Sequence, residues 1–272
     1  MHTLPMAKSG KSALEVARDL AYEAGLVLLR RFRTPKKIRE KSPGNLVTDV
    51  DQEVEDLLVA RLQLEFPGVG ILAEESGRHE GEGDLAWIID PLDGTRNYAI
   101  GVPIFAVTIA LALGPEVLLG VTYDPNRDEL FRAEKGQGAF VNDELMQVAR
   151  RAEFDGVVLG TDMGYDDEMG RYVLGLLDRL WPANNGIRII GSAALGLAYT
   201  AAGRTDIYFH HLLSPWDIAA GILMGQESGA RVTNRDGGPI DFLEDRSIIL
   251  ANPAVHAQFL QRTVGLPWRG PE

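Results

Sequence analysis

The chain contains no cysteine among its 272 residues, so it builds no disulfide, thiolate nucleophile or Cys-ligated metal centre. No run approaches the roughly 20 apolar residues that cross a bilayer, and residues 1–11 carry no apolar signal segment. No membrane is expected as a partner, and a cytoplasmic location is the default. Positive charge is also scarce. The 27 Lys and Arg stand against 39 Asp and Glu, a formal net charge of −12. Nucleic acid is therefore not expected as the main partner, because phosphate backbones are held by Lys and Arg. No His-x-x-x-His pair occurs among the five histidines. Gly10-Lys11-Ser12 lacks the first glycine and the preceding strand of a phosphate-binding P-loop. A phosphorylated small molecule stays open as a ligand if bound metal supplies the positive charge.

A hydrophobic content of 45% supports a full core. Ser12-x-x-Glu15 has the form of a capping box, and Leu14, Ala17, Ala21, Leu28 and Phe32 then recur at helical spacing up to Thr34-Pro35. The basic stretch Arg30 to Lys41 is taken as a solvated helix end. A second helix starts near Thr48 and stops at Pro67-Gly68. Short apolar runs at 71–73, 85–89, 105–113 and 117–123 predict an antiparallel sheet backed by these two helices. Beyond residue 150 strands and helices alternate. The expectation is an α/β (α+β) chain in two halves sharing one site, residues 1–148 and 149–272.

The richest segment is Trp87-Ile88-Ile89-Asp90-Pro91-Leu92-Asp93-Gly94-Thr95. An apolar strand ends there in two acids, a glycine and a hydroxyl. Three further acidic segments stand at comparable places: Glu74-Glu75 after a short strand, Asp51 at a helix start, and Asp217 after Trp216 at another. Singly each has an ordinary explanation as a cap or loop charge. Together they describe one cluster of hard oxygen ligands, suited to Mg²⁺ or Mn²⁺ and not to soft metals. Aspartyl-phosphate enzymes fit less well, because their paired acids lie two apart and Asp90 and Asp93 lie three apart.

These segments resemble the inositol-monophosphatase-like, lithium-sensitive, metal-dependent phosphatases. The resemblance rests on Glu74-Glu75-Ser76, Asp90-Pro91-Leu92-Asp93-Gly94-Thr95, and Trp216-Asp217-Ile218-Ala219-Ala220-Gly221. Asn45 to Asp51 and Gly191-Ser192-Ala193-Ala194 match two more family segments, in order along the chain. It implies a layered αβαβα sandwich of the sugar-phosphatase type, commonly a homodimer. It implies two or three Mg²⁺ per site, with Mn²⁺ as a substitute and Li⁺ as an inhibitor. The first ion would be held by Glu74, Asp90 and the Leu92 carbonyl, the second by Asp90, Asp93 and Asp217. Phosphate would sit on the backbone of Leu92 to Thr95, with Asp93 and Asp217 beside the substrate. Gly191, Ser192, Ala193 and His210 would line the pocket for its alcohol part. Glu74 would act as base, and Thr95, held by Asp51, would orient the attacking water.

Two positions depart from the family pattern. His210 stands where inositol-using members generally carry a glutamate, and Asn45 where an aspartate is usual. His211 is expected to point away from His210 by strand alternation, Trp216 to wedge Asp217 in place, and Tyr98 to pack. The function implied is hydrolysis of a small polyol or sugar phosphate, inositol 1-phosphate or similar. Fructose-1,6-bisphosphatase, histidinol-phosphatase and nucleotide 3′-phosphatase activities are alternatives within the class. A regulatory binding protein in a transcription complex is the alternative outside it.

Overall fold

A computed structural model describes residues 4–269. Helix α1 (Ala13–Arg31) opens with the reciprocal Ser12–Glu15 capping box that its sequence announces. It ends at Arg31, before Thr34-Pro35. The basic residues beyond it are not a helix end. They run into a separate hairpin, β1 (Ile38–Ser42) and β2 (Asn45–Thr48), whose first strand is exposed at every position. An all-exposed strand has no apolar alternation, which is why its sequence hid it. Arg31 pairs with Asp49 at 2.9 Å and with Glu53, both on α2 (Asp49–Glu65).

Strands β3 (Gly70–Ala73), β4 (Gly77–His79) and β5 (Leu85–Asp93) follow, then the short helix α3 (Thr95–Ile100). β6 (Ala106–Leu113), β7 (Glu116–Asp124), β8 (Glu129–Glu134), β9 (Gly138–Val141) and β10 (Glu144–Leu145) complete an eight-stranded sheet. The sheet is mixed and not purely antiparallel, because β3 pairs parallel to β5, with β4 antiparallel on its other edge. A second sheet holds β11 (Val157–Thr161), β12 (Asn184–Ile189), β13 (Ile207–His210), β14 (Arg231–Thr233) and β15 (Ile248–Ala251). Helices α4 (Asp167–Leu180), α5 (Ala193–Ala201), α6 (Pro215–Glu227) and α7 (Pro253–Arg262) intervene.

Alternation along the strands sets the layers. Trp87 and Ile89 of β5 face α1 and α2, whereas Ile88 between them packs with α5 and α6. In the second sheet Tyr208 and Leu250 face α5 and α6, and Phe209 and Ile249 face α4 and α7. The order is helices, sheet, helices, sheet, helices: the αβαβα sandwich. The central helices sit very close to the first sheet. A Cβ on Gly120 of β7 would come within 2.7 Å of the Ala220 backbone on α6. Burial at about 25 cal/mol per Å² of apolar surface drives this packing, and α6 brings its first turn to the end of β5.

Candidate active site

Two acids three apart on a regular strand would point to opposite faces. A bulge prevents this. Asp90 pairs with Thr108 and Asp93 with Ala106, so one extra residue is accommodated on β5 between them. The extra residue re-aims the strand end, and Asp90 and Asp93 converge with Asp217 so that one carboxylate oxygen from each lies within 4.8 Å of the others. Asp90 is buried at 1% exposure and accepts the Leu92 N–H at 2.9 Å. Asp217 sits in the first turn of α6, where the Ser214 N–H holds its Oδ2 at 2.6 Å. Glu74 is the first residue of the β3–β4 turn. Because β3 lies alongside β5, its carboxyl borders the same cavity as Asp90 and its charge raises the Asp90 pKa, although it lies outside the 4.8 Å cluster of the three aspartates.

Electrostatics follow from that crowding. Burial, then the negative charges of Glu74, Asp93 and Asp217, raise the Asp90 pKa well above the usual carboxylate range. Burial pushes Asp93 up to about 7, although the Ser192 hydroxyl and the Ala194 N–H both donate to it and oppose the shift. Burial and Asp93 raise Asp217 in the same way. Adjacent carboxylates cannot all ionise without compensating cations. The donor set is hard oxygen throughout, so Glu74, Asp90, Asp93 and Asp217, with the Leu92 carbonyl next to them, fit Mg²⁺-type ions.

The phosphate end is built by Gly94 and Thr95. Gly94 has φ +89°, and a Cβ there would approach the Ile104 carbonyl oxygen to 2.9 Å. Only glycine suits that position. Thr95 opens α3, whose first-turn N–H groups lack intrahelical partners. The Thr95 hydroxyl lies 2.9 Å from both Asp51 Oδ1 and the Leu92 carbonyl oxygen, either of which can accept its proton. Asp51, wholly buried, also accepts the Thr48 N–H at 2.9 Å, and burial raises its pKa.

These groups border a cavity of about 680 Å³ that also takes in Gly191, Ser192, Ala193 and His210. The Ser192 hydroxyl donates to Asp93, so its contact is with that acid. Asn97 fixes the loop beside it through the carbonyls of Ile190 at 2.7 Å and Gly191 at 3.2 Å. Tyr98 packs edge-on against Phe105 and donates to the Leu28 carbonyl at 2.8 Å. Trp216 and Asn45 both border the cavity.

His210 is 2% exposed and lies on the cavity wall; it is His211 that differs from expectation. His211 does not point away. β13 ends at His210, so the pleat no longer governs the next residue, and the two rings stack 4.7 Å apart. The Leu212 N–H donates to His210 Nδ1 at 3.0 Å. Burial and then His211 lower the His210 pKa to about 3, so the ring is neutral and carries its proton on Nε2.

Sequence reasoning missed several residues. Lys41, read as part of a solvated basic stretch, reaches from the hairpin to Glu74 at 2.9 Å and to Glu75. Burial disfavours its charge, yet the Glu74 and Glu75 carboxylates raise its pKa overall. Asp162, just past β11, accepts the Gly191 N–H at 2.6 Å and the Tyr208 hydroxyl at 2.9 Å. Burial lifts it to about 6. An acid at a strand end was the signal that located Asp90, and it would have found Asp162. Arg246 also borders the cavity, its Nε donating to the Leu213 carbonyl at 2.7 Å.

Residues 11–266 match the model of the inositol monophosphatase family. An inositol-1-monophosphatase of Mesorhizobium japonicum is 40% identical, over 94% of this chain and 97% of that protein. The Nus factor SuhB of Escherichia coli K12 is 36% identical, over 89% of this chain and 92% of its own length. Among solved structures, the extragenic suppressor protein suhB of Bartonella henselae superposes with a TM-score of 0.89 at 37% identity. That superposition covers 93% of this chain and 98% of the other.

Proposed function

We propose, for a chain that belongs to the inositol monophosphatase family, that this cavity hydrolyses the phosphomonoester of a small polyol or sugar, inositol 1-phosphate or a close relative. The observation that carries the reading is the convergence of Asp90, Asp93 and Asp217 within 4.8 Å at a cavity wall. Two or three Mg²⁺ ions held by Glu74, Asp90, the Leu92 carbonyl, Asp93 and Asp217 would neutralise the phosphate dianion and the charge growing on the leaving oxygen.

The chain's own groups handle water and protons. With its proton committed to Asp51, Thr95 Oγ1 offers a lone pair that orients the attacking water. Glu74 removes a proton from that water as its oxygen bonds to phosphorus. The ester P–O bond breaks on the opposite side, the alkoxide takes up a proton from solvent, Glu74 returns to solvent the proton it took, and alcohol and inorganic phosphate leave. First-turn N–H groups of α3 hold phosphate oxygens. Asp217, in the same cluster, is placed to accept from the substrate hydroxyl next to the ester.

Phosphate release from a panel of esters with Mg²⁺ tests this reading. Inositol 1-phosphate or a related monoester is expected to turn over well; no release from any ester would defeat it. The regulatory binding alternative rests only on the likeness to the Nus factor SuhB, and a pure binding protein would give that second result. Substrate choice within the panel should depend on His210. Its Nε2–H donates, where a glutamate would accept. His210→Glu is therefore expected to raise kcat/KM for inositol 1-phosphate over fructose 1,6-bisphosphate by roughly tenfold, about one hydrogen bond's worth. An unchanged ranking would remove His210 from substrate recognition.

A further inference from the structure

We propose that Glu55 is a positioning residue that fixes Glu74, and that α2 thereby sets the spacing between two acid-bearing segments. This rests on the reading of the cavity as a metal-dependent phosphatase site. Asp51 and Glu55 lie one helical turn apart on α2, so they share a face, and both are fully buried. Asp51 reaches Thr95, the first residue of α3 just past β5, at 2.9 Å. Glu55 reaches the neighbouring segment. Its two carboxylate oxygens accept from the backbone N–H groups of Glu75 at 2.7 Å and Ser76 at 2.6 Å.

Those are short, charge-assisted bonds, and they land on the two residues directly after Glu74. A carboxylate this deeply buried is costly unless paired. Glu55 does not border the cavity, so substrate contact does not explain it. What the two bonds do is lock the turn 74–76 between β3 and β4, from which Glu74 extends toward Asp90. One helix thus grips two of the three segments that supply the acids, and its rigidity keeps Glu74 in register with Asp90 and Asp93.

The test is calorimetric titration of Mg²⁺ into full-length wild type, Glu55→Gln and Glu227→Gln. Glutamine preserves volume but turns an amide N–H₂ toward one of the two backbone donors. Glu55→Gln should bind Mg²⁺ about tenfold or more weakly, the usual scale for residues that orient metal ligands. Glu227 makes the same kind of clamp away from the cavity, accepting Gly136 N–H at 2.8 Å and Gly138 N–H at 2.9 Å. Its variant should keep wild-type Mg²⁺ affinity, which separates positioning from general loss of structure. Wild-type affinity in Glu55→Gln would overturn the proposal. Should that variant fail to fold, amide exchange in the metal-free wild type decides. The Glu75 and Ser76 N–H groups should be protected like those of β5, and exchange at open-loop rates would overturn the clamp. A wild type that binds Mg²⁺ but hydrolyses no ester would defeat the catalytic reading and leave this proposal standing.

Discussion

Asp217→Asn should lower kcat by about a thousandfold, roughly 4 kcal/mol of transition-state stabilisation, while the protein stays folded. The fold survives because asparagine Oδ1 can still accept the Ser214 N–H that Asp217 accepts at 2.6 Å. What is lost is one negative oxygen from the cluster with Asp90 and Asp93. Asp93→Asn should behave alike, with its bonds from Ser192 and Ala194 weakened. Without added metal, both variants should be at least as heat-stable as wild type, since each removes a charge from a crowded, buried set. Phosphate release together with a thermal melt checks both halves. Wild-type turnover in either variant would refute their placement at the chemistry.

The second large effect is on stability, through pH and metal. Asp93 has a folded pKa of about 7, and Asp90 and Asp217 are raised above the ordinary carboxylate value, all principally by burial. In the unfolded chain these groups titrate near 4. Between those values the folded state holds more protons than the unfolded one, so stability falls as pH rises. Metal-free protein should therefore melt at lower temperature at pH 8 than at pH 5.5. Mg²⁺ should cancel the trend, because it binds the ionised folded site. At a hundredfold excess over its Kd one ion contributes about 2.7 kcal/mol, or roughly 5–10 °C in Tm for a domain of this size class. Melting curves with EDTA and with Mg²⁺ at both pH values read this directly. A Tm gain from Mg²⁺ that is larger at pH 5.5 than at pH 8 would contradict the assignment.

Much of this site was visible in the chain because its signals are local. Ser12 and Glu15 form their capping box, and the apolar run 85–89 is the expected strand, although β5 continues past Asp90 to Asp93. The hydroxyl of Thr95 lies on Asp51, a pairing that the family resemblance implied. What stayed hidden depends on geometry between distant segments. The bulge that turns Asp90 and Asp93 to one place has no signature beyond Pro91. The parallel pairing of β3 with β5, which sets Glu74 beside Asp90, is a tertiary choice. Lys41 looked like one more solvated cation because β1 is exposed on both faces, and only the hairpin's docking brings it to Glu74. His211 was misplaced because alternation was extended one residue past the end of β13. Glu55 sits mid-helix among ordinary acids, and nothing in its neighbours shows that it caps another segment's turn.

The sharpest check is an anomalous-scattering map from crystals of the wild type soaked in Mn²⁺. Peaks lodged among the side chains of Glu74, Asp90, Asp93 and Asp217 are the predicted result. A map with strong manganese signal elsewhere and none among those four acids would contradict the whole account.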